Sequence, residues 1–130
     1  MKPEPRELPV RMQPVRRILV VDDHAGFRSC ARVLLTAEGF DVVGEGEDGA
    51  AGLALAAELE PDLVLLDIQL PDIDGFEVAS RLLAQNRDAK IVLISSRDRS
   101  AYGPLIETSG AVGFISKGEL SGGTIERLLG

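Results

Sequence analysis

A chain of 130 residues, 45% hydrophobic and 27% charged, has room for one domain with a real core but not for two, and no apolar run nears the ~20 residues that a spanning helix needs. The net charge of −7 is unevenly spread, with five basic and two acidic side chains in residues 1 to 17 and nine and nineteen in the rest, so the body repels phosphates and direct nucleic-acid binding is not expected. The N-terminus lacks a secretory signal, which makes the cytoplasm the expected location, and a single cysteine, Cys30, excludes an intrachain disulfide and argues against a Cys-based metal cluster.

Residues 1 to 15 hold four prolines (Pro3, Pro5, Pro9, Pro14) and no periodicity, which reads as a flexible leader to a domain spanning 16 to 130. Its basic side chains suit either a solvated arm or an acidic partner. From Arg16 onward, β-type runs near 17–22, 41–45, 62–67, 90–95 and 112–116 alternate with helical patterns. Phe27, Ala31, Leu34 and Leu35 mark the first helix, which Gly39 closes and Asp23 is placed to cap; Cys30 is expected on or beside its packed face. Residues 48–59 form a second helix rich in small side chains, and Phe76, Ala79, Leu82 and Leu83 mark a third after Gly75. The fourth, Ser100 to Ser109, contains Gly103-Pro104 and should be short or pliable. A fifth runs from Ser121 to Leu129 behind Gly122-Gly123. Five strands alternating with five helices imply right-handed crossovers and a doubly wound α/β sandwich around a parallel sheet. No glycine-rich phosphate loop follows the first strand, so dinucleotide or P-loop binding has no support.

Chemistry-bearing residues fall at the carboxyl ends of the strands, where open α/β sheets hold their ligands. Asp22 and Asp23 follow the first strand, Asp67 ends Leu63-Val64-Leu65-Leu66, Ser95 ends the fourth strand and Lys117 follows the fifth. Neighbouring carboxylates repel unless a proton or cation relieves them, and a hard, oxygen-preferring ion such as Mg²⁺ fits. Each residue also has a plainer reading. Asp23 can be a helix cap, Lys117 a solvated lysine and Phe114 a core aromatic; Ser96 can stand in for Ser95. His24 invites a metal role but is read as an exposed side chain at a helix start. Asp72-Ile73-Asp74-Gly75 is read as a turn, because Leu70-Pro71 separates its acids from the buried strand.

Taken together, Ile18-Leu19-Val20-Val21-Asp22-Asp23-His24, Asp67-Ile68-Gln69-Leu70-Pro71-Asp72-Ile73-Asp74-Gly75 and Gly110-Ala111-Val112-Gly113-Phe114-Ile115-Ser116-Lys117 closely resemble the receiver domain of bacterial two-component response regulators. They are most similar to receivers of transcription factors with a helix-turn-helix output. The resemblance covers about residues 16 to 129 and implies a flavodoxin-like sheet of strand order 2-1-3-4-5. It implies that Asp67 is the phosphoacceptor, and that Asp22, Asp23, Asp67 and the carbonyl of Gln69 hold Mg²⁺ against the phosphoryl oxygens. Lys117 and Ser95 would meet the remaining oxygens, with Ser95 and Phe114 as the switch pair. Ser96 would leave room beside the phosphate, and Gln69 and Arg97 would flank it.

The sequence departs from the commonest receiver pattern twice. Gly118 follows Lys117 where a cis proline is frequent, so a trans bond is expected there. Phe114 lacks the hydroxyl of the tyrosine often found at its place, so a switch there acts through packing alone. The implied partners are a sensor histidine kinase or histidine phosphotransfer protein, an unidentified output protein and, after phosphorylation, a second copy of the chain. The fourth helix, fifth strand and fifth helix are the expected signalling face. With its last residue at Gly130, the chain is read as a stand-alone receiver, a binding module rather than a turnover enzyme. The alternatives are a phosphorylation-independent interaction module, a phosphatase using the same acids, and the front part of a longer transcription factor.

Overall fold

The computed structural model describes residues 15–130. The leader assigned to residues 1–15 lies, except for Val15, outside the described residues. Ten principal elements alternate: β1 (Arg17–Val21), α1 (Ala25–Ala37), β2 (Asp41–Gly46), α2 (Gly49–Leu59), β3 (Leu63–Asp67), α3 (Gly75–Gln85), β4 (Ile91–Ser95), α4 (Leu105–Thr108), β5 (Gly113–Ser116) and α5 (Gly122–Leu129). Short 3-10 turns at Arg99–Ala101 and Lys117–Glu119 precede α4 and α5. The strands form one parallel sheet of order β2-β1-β3-β4-β5, as expected.

Alternation along the buried strands divides the core in two. Ile18, Val20, Leu65, Val92, Ile94 and Ile115 face α1 and α5, packing on Ala31, Leu35 and Ile125. Leu19, Val21, Val64, Leu66, Ile91 and Leu93 face the opposite layer, where Val78, Ala79 and Leu82 of α3 and Ile106 of α4 cover them. All five residues of β3 and all five of β4 are buried, so their apolar runs are continuous. The polar ends of both strands, Asp67 and Ser95, are buried with them.

The start of α1 and the placement of Cys30 differ from the sequence expectation. Asp23 does not cap α1: His24 holds the N-cap position without a side-chain cap bond, and Asp22 Oδ1 accepts the His24 N–H at 2.8 Å. The Asp23 side chain is thereby left to face the cluster at the strand ends. Cys30 is exposed, contrary to expectation; the buried face of α1 centres on Ala31 and Leu35, and one residue turns the helix by about 100°. Gly39 adopts φ +96° just beyond α1, a left-handed stop that favours glycine. The fourth helical stretch is broken as its Gly103-Pro104 pair requires, with Gly103 at φ +57° between the 3-10 turn and the four residues of α4.

The acids of Asp72-Ile73-Asp74-Gly75 serve two different helices. Asp74 caps its own helix, α3, accepting the Glu77 N–H at 2.9 Å. Asp72 reaches across to α2, accepting from Gly49 N at 2.8 Å and Ala50 N at 2.9 Å, while Asp48 takes Ala51 N at 2.7 Å. Three successive amides of one helix start are thus satisfied by two carboxylates, one of them distant in sequence.

Candidate functional site

Parallel pairing of β1 with β3 aligns Val21 with Leu66, which sets the residues that follow, Asp22 and Asp67, side by side. Pairing of β3 with β4 matches Asp67 to Ile94, so Ser95 stands one residue beyond; Ser95 in turn pairs with Ser116, and Lys117 follows. Ordinary parallel register therefore brings residues from four separate segments to one edge of the sheet.

Lys117 Nζ lies 2.6 Å from Asp22 Oδ2 and 3.3 Å from Asp67 Oδ2, so one ammonium ties two buried carboxylates. It also stands 4.8 Å from the centre of the Phe27 ring, a cation–π contact that fixes the side chain from the α1 side. Every peptide bond among the described residues is trans, Lys117–Gly118 included. The other oxygen of Asp67, Oδ1, accepts the Gln69 N–H at 3.1 Å.

Burial pushes the Asp67 carboxyl above its ordinary value, and the neighbouring Asp22 adds to the rise; the Gln69 amide and the Lys117 ammonium oppose it. Burial works against the charge on Lys117, but its bonds to Asp22 and Asp67 outweigh that and hold the ammonium above its ordinary pKa.

Asp22, Asp23, His24 and Asp67 each direct one ligand-type atom into a space where all four atoms lie within 4.8 Å of one another. Three carboxylates there face a single lysine. Asp22 Oδ2 is buried and has no well-formed hydrogen bond, only the ion pair with Lys117. A buried, incompletely satisfied oxygen among hard donors matches what a divalent ion such as Mg²⁺ takes, and the residues present fit that group. His24, left unassigned from sequence, sits at the rim with Nδ1 3.1 Å from both Asp22 Oδ1 and Asp23 Oδ1.

Ser95 lies at the far side of this edge. Its Oγ accepts the Arg97 N–H at 3.0 Å and lies 2.6 Å from the hydroxyl of Tyr102. The Tyr102 ring packs edge-on against Phe76, centroids 5.9 Å apart, and lies tilted against Phe114 at 6.1 Å. Phe114 thus belongs to the core layer beneath α3 and α4 and touches the Ser95 side of the site through Tyr102. Ser96 and Arg97 are exposed beside it.

Sequence reasoning did not single out Tyr102, Phe27 or the cross-loop role of Asp72. Tyr102 falls in a broken helical stretch with no period to mark it, and Phe27 was read only as core. For Asp72 the available signal was its turn composition, which does not reveal a partner helix 22 and 23 residues earlier.

The sequence model of the response regulator receiver domain matches residues 18–127. Response regulator GacA of Pseudomonas aeruginosa is 38% identical over 103 residues, which is 78% of this chain and 48% of that protein. The chain spans about half the length of the curated relatives it matches. Among solved structures, a LuxR-family two-component response regulator from Aurantimonas is 28% identical with TM-score 0.80, covering 89% of this chain and 86% of that one. The response regulator TrrA from Thermotoga maritima, in complex with Mg²⁺ and BeF, is 30% identical with TM-score 0.76, covering 88% and 99%.

Proposed function

The chain belongs to the response regulator receiver domain family, and from that premise we propose that Asp67 accepts a phosphoryl group from a histidine of a sensor kinase or of a histidine phosphotransfer protein. The observation that carries the proposal is the placement of Asp67. It is a buried strand-end carboxylate with one oxygen on the Gln69 amide and the other on the Lys117 ammonium, beside a second buried acid. In the transfer, an Asp67 oxygen forms a bond to phosphorus while the P–N bond of the phosphohistidine breaks, and the released imidazole nitrogen takes up a proton.

Each neighbour supports that step. Lys117, held between Asp22 and Asp67, supplies a positive charge to a phosphoryl oxygen. Ser95 offers a hydroxyl donor from a buried position. Asp22, Asp23, Asp67 and the Gln69 carbonyl are the groups that would hold Mg²⁺, and the TrrA complex with Mg²⁺ and BeF supports that choice of ion. The ion supplies charge neutralisation between the incoming phosphoryl group and the acids. The readout is assigned to the face formed by α4, β5 and α5, with dimerisation through it as one consequence; light scattering with and without beryllofluoride measures that. An acidic body assigns any nucleic-acid contact to an output partner or output segment.

A second reading is favoured by one observation, that the matched regulators are about twice as long as this chain. In it, residues 16–130 are the receiver of a longer transcription regulator, and the codons downstream of Gly130 decide between the two. Both readings share the same test of chemistry. Intact mass after incubation with acetyl phosphate and Mg²⁺ should show one added phosphoryl group on wild type and none on Asp67→Asn. An adduct that persists in Asp67→Asn, or no adduct together with no binding of beryllofluoride, would remove Asp67 as the acceptor and leave a phosphorylation-independent interaction module.

A further inference from the structure

Phe114 carries no hydroxyl, and the hydrogen bonds of Ser95 Oγ among the described residues go to the Arg97 amide and to Tyr102, in the segment before α4, rather than to a β5 side chain. Tyr102 ends the 3-10 turn Arg99–Ala101, its N–H bonded to Arg99 O at 3.1 Å, and stands immediately before Gly103. Its ring lies between Phe76 at the start of α3 and Phe114 on β5, and its hydroxyl reaches the buried Oγ of Ser95 at 2.6 Å. We propose that Tyr102 is a positioning residue for the phosphoryl site, holding the Ser95 hydroxyl as a donor and passing its movement to α4. This inference rests on the reading of Asp67 as phosphoacceptor.

A serine hydroxyl has one proton and two lone pairs. The Arg97 N–H already fills one lone pair at 3.0 Å. Without an anion nearby, the Ser95 proton is free to point to the Tyr102 oxygen. Once that proton is directed to a phosphoryl oxygen, the second lone pair is open to the Tyr102 O–H, and all three positions around Ser95 Oγ are matched. Two donors into the same oxygen polarise it and strengthen the bond it gives. Phosphorylation thus fixes the direction of the Ser95–Tyr102 bond, and any shift of Ser95 towards the phosphate draws the phenol with it. The phenol belongs to a weakly held segment: α4 has four residues, no side-chain cap and one buried residue, Ile106.

The composition makes this testable without a label, because the chain has one tyrosine and no tryptophan, so emission excited beyond the absorption band of phenylalanine comes from Tyr102 alone. Wild type, Ser95→Ala and Tyr102→Phe should be titrated with beryllofluoride and Mg²⁺, with bound fluoride followed separately by fluorine NMR. Binding should change the emission of wild type, and in Ser95→Ala most of that change should be lost at matched occupancy. Tyr102→Phe keeps the ring contacts with Phe76 and Phe114, so its melting temperature should stay close to wild type, while labelling by acetyl phosphate slows several-fold. Bound beryllofluoride with no change in emission, an undiminished change in Ser95→Ala, or wild-type labelling kinetics in Tyr102→Phe would each overturn the role of Tyr102 and leave Asp67 as acceptor. No bound beryllofluoride in wild type, with no mass adduct, would instead overturn the phosphoacceptor reading and this inference with it.

Discussion

Helices α3 and α4 cover the same face of the sheet side by side, and they are held there very differently. Helix α3 has eleven residues, a capping bond from Asp74, an ion pair between Glu77 and Arg81 one turn apart, and buries Gly75, Val78, Ala79 and Leu82. Helix α4 has four residues, follows Pro104 without a side-chain cap, and buries Ile106 alone. An open cavity of about 300 Å³ lies between them, lined by Phe76, Ser80 and Leu83 on one side and Leu105, Thr108 and Ser109 on the other. The contrast continues into the functional edge. The strand end and loop that lead into α3 carry Asp67 and Gln69, fixed by sheet register, the Gln69 amide bond and the ion pair with Lys117. The segment that enters α4 carries Tyr102, which meets Ser95 through one hydroxyl contact. Under the proposed function, chemistry needs atoms held in place, whereas signalling needs an element that moves for little free energy, and the two demands would fall on neighbouring helices.

Truncating the largest buried residue of each helix tests this difference most directly. Leu82→Ala should cost about 2–5 kcal/mol of global stability, because the surrounding α3 contacts cannot collapse into the space. Ile106→Ala should cost clearly less in urea unfolding if the short, uncapped α4 opens locally, so that its packing contributes less to the global transition. Equal losses would mean that α4 is bound into the cooperative unit as firmly as α3.

A pair of glycine substitutions sharpens this difference. A Cβ at Gly75 would collide with the carbonyl oxygen of Asp67 and approach Ile68 Cα to 2.7 Å, both backbone groups at the strand end that carries the proposed acceptor. Gly75→Ala should cost about 1–3 kcal/mol by overpacking and also slow labelling of Asp67 by acetyl phosphate. A Cβ at Gly103 would meet nothing within 4 Å, leaving only the strain of φ +57°. Gly103→Ala should therefore cost about 1 kcal/mol, lost from α4, with labelling close to wild type. Labelling that slows equally in both variants would place the acceptor under the control of both helices.

The parts of this arrangement legible in the sequence were those written with a period. Apolar runs fixed on both faces marked β1, β3 and β4, and the acids and hydroxyl at their ends could be ordered along the edge because parallel strands place like ends together. Gly103-Pro104 marked α4 as weak, since both residues act on their own backbone. What escaped depended on side chains meeting across the fold. Asp23 has the composition of a cap, but the backbone places His24 at that position and Asp22 takes its amide. Cys30 has the chemistry of a packed residue yet sits on the outer side of α1, a matter of where the helix presses on the sheet. Tyr102 is unremarkable in sequence because its meaning lies in an oxygen seven residues earlier and in two rings on other elements.

The smallest predicted effect concerns Asp72, which belongs to the firmly held side. The amides of Gly49 and Ala50, donating to its two oxygens, lower its pKa from 3.8 to about 2. A carboxyl whose folded pKa lies below its unfolded value binds its proton more readily in the unfolded chain. Its contribution to stability is thus complete above pH 3.8 and disappears as the pH falls towards 2. Asp72→Asn should melt slightly below wild type at neutral pH, and the difference between the two should shrink across that acid window. Because the side chain is exposed, added salt should narrow the gap at neutral pH as well. A difference that stays constant from neutral pH to pH 2 would mean that the carboxylate's charge contributes nothing and that its oxygens act only as neutral acceptors. The junction between α2 and the α3 loop would then be held by geometry alone, with no electrostatic share to set it apart from the uncapped start of α4.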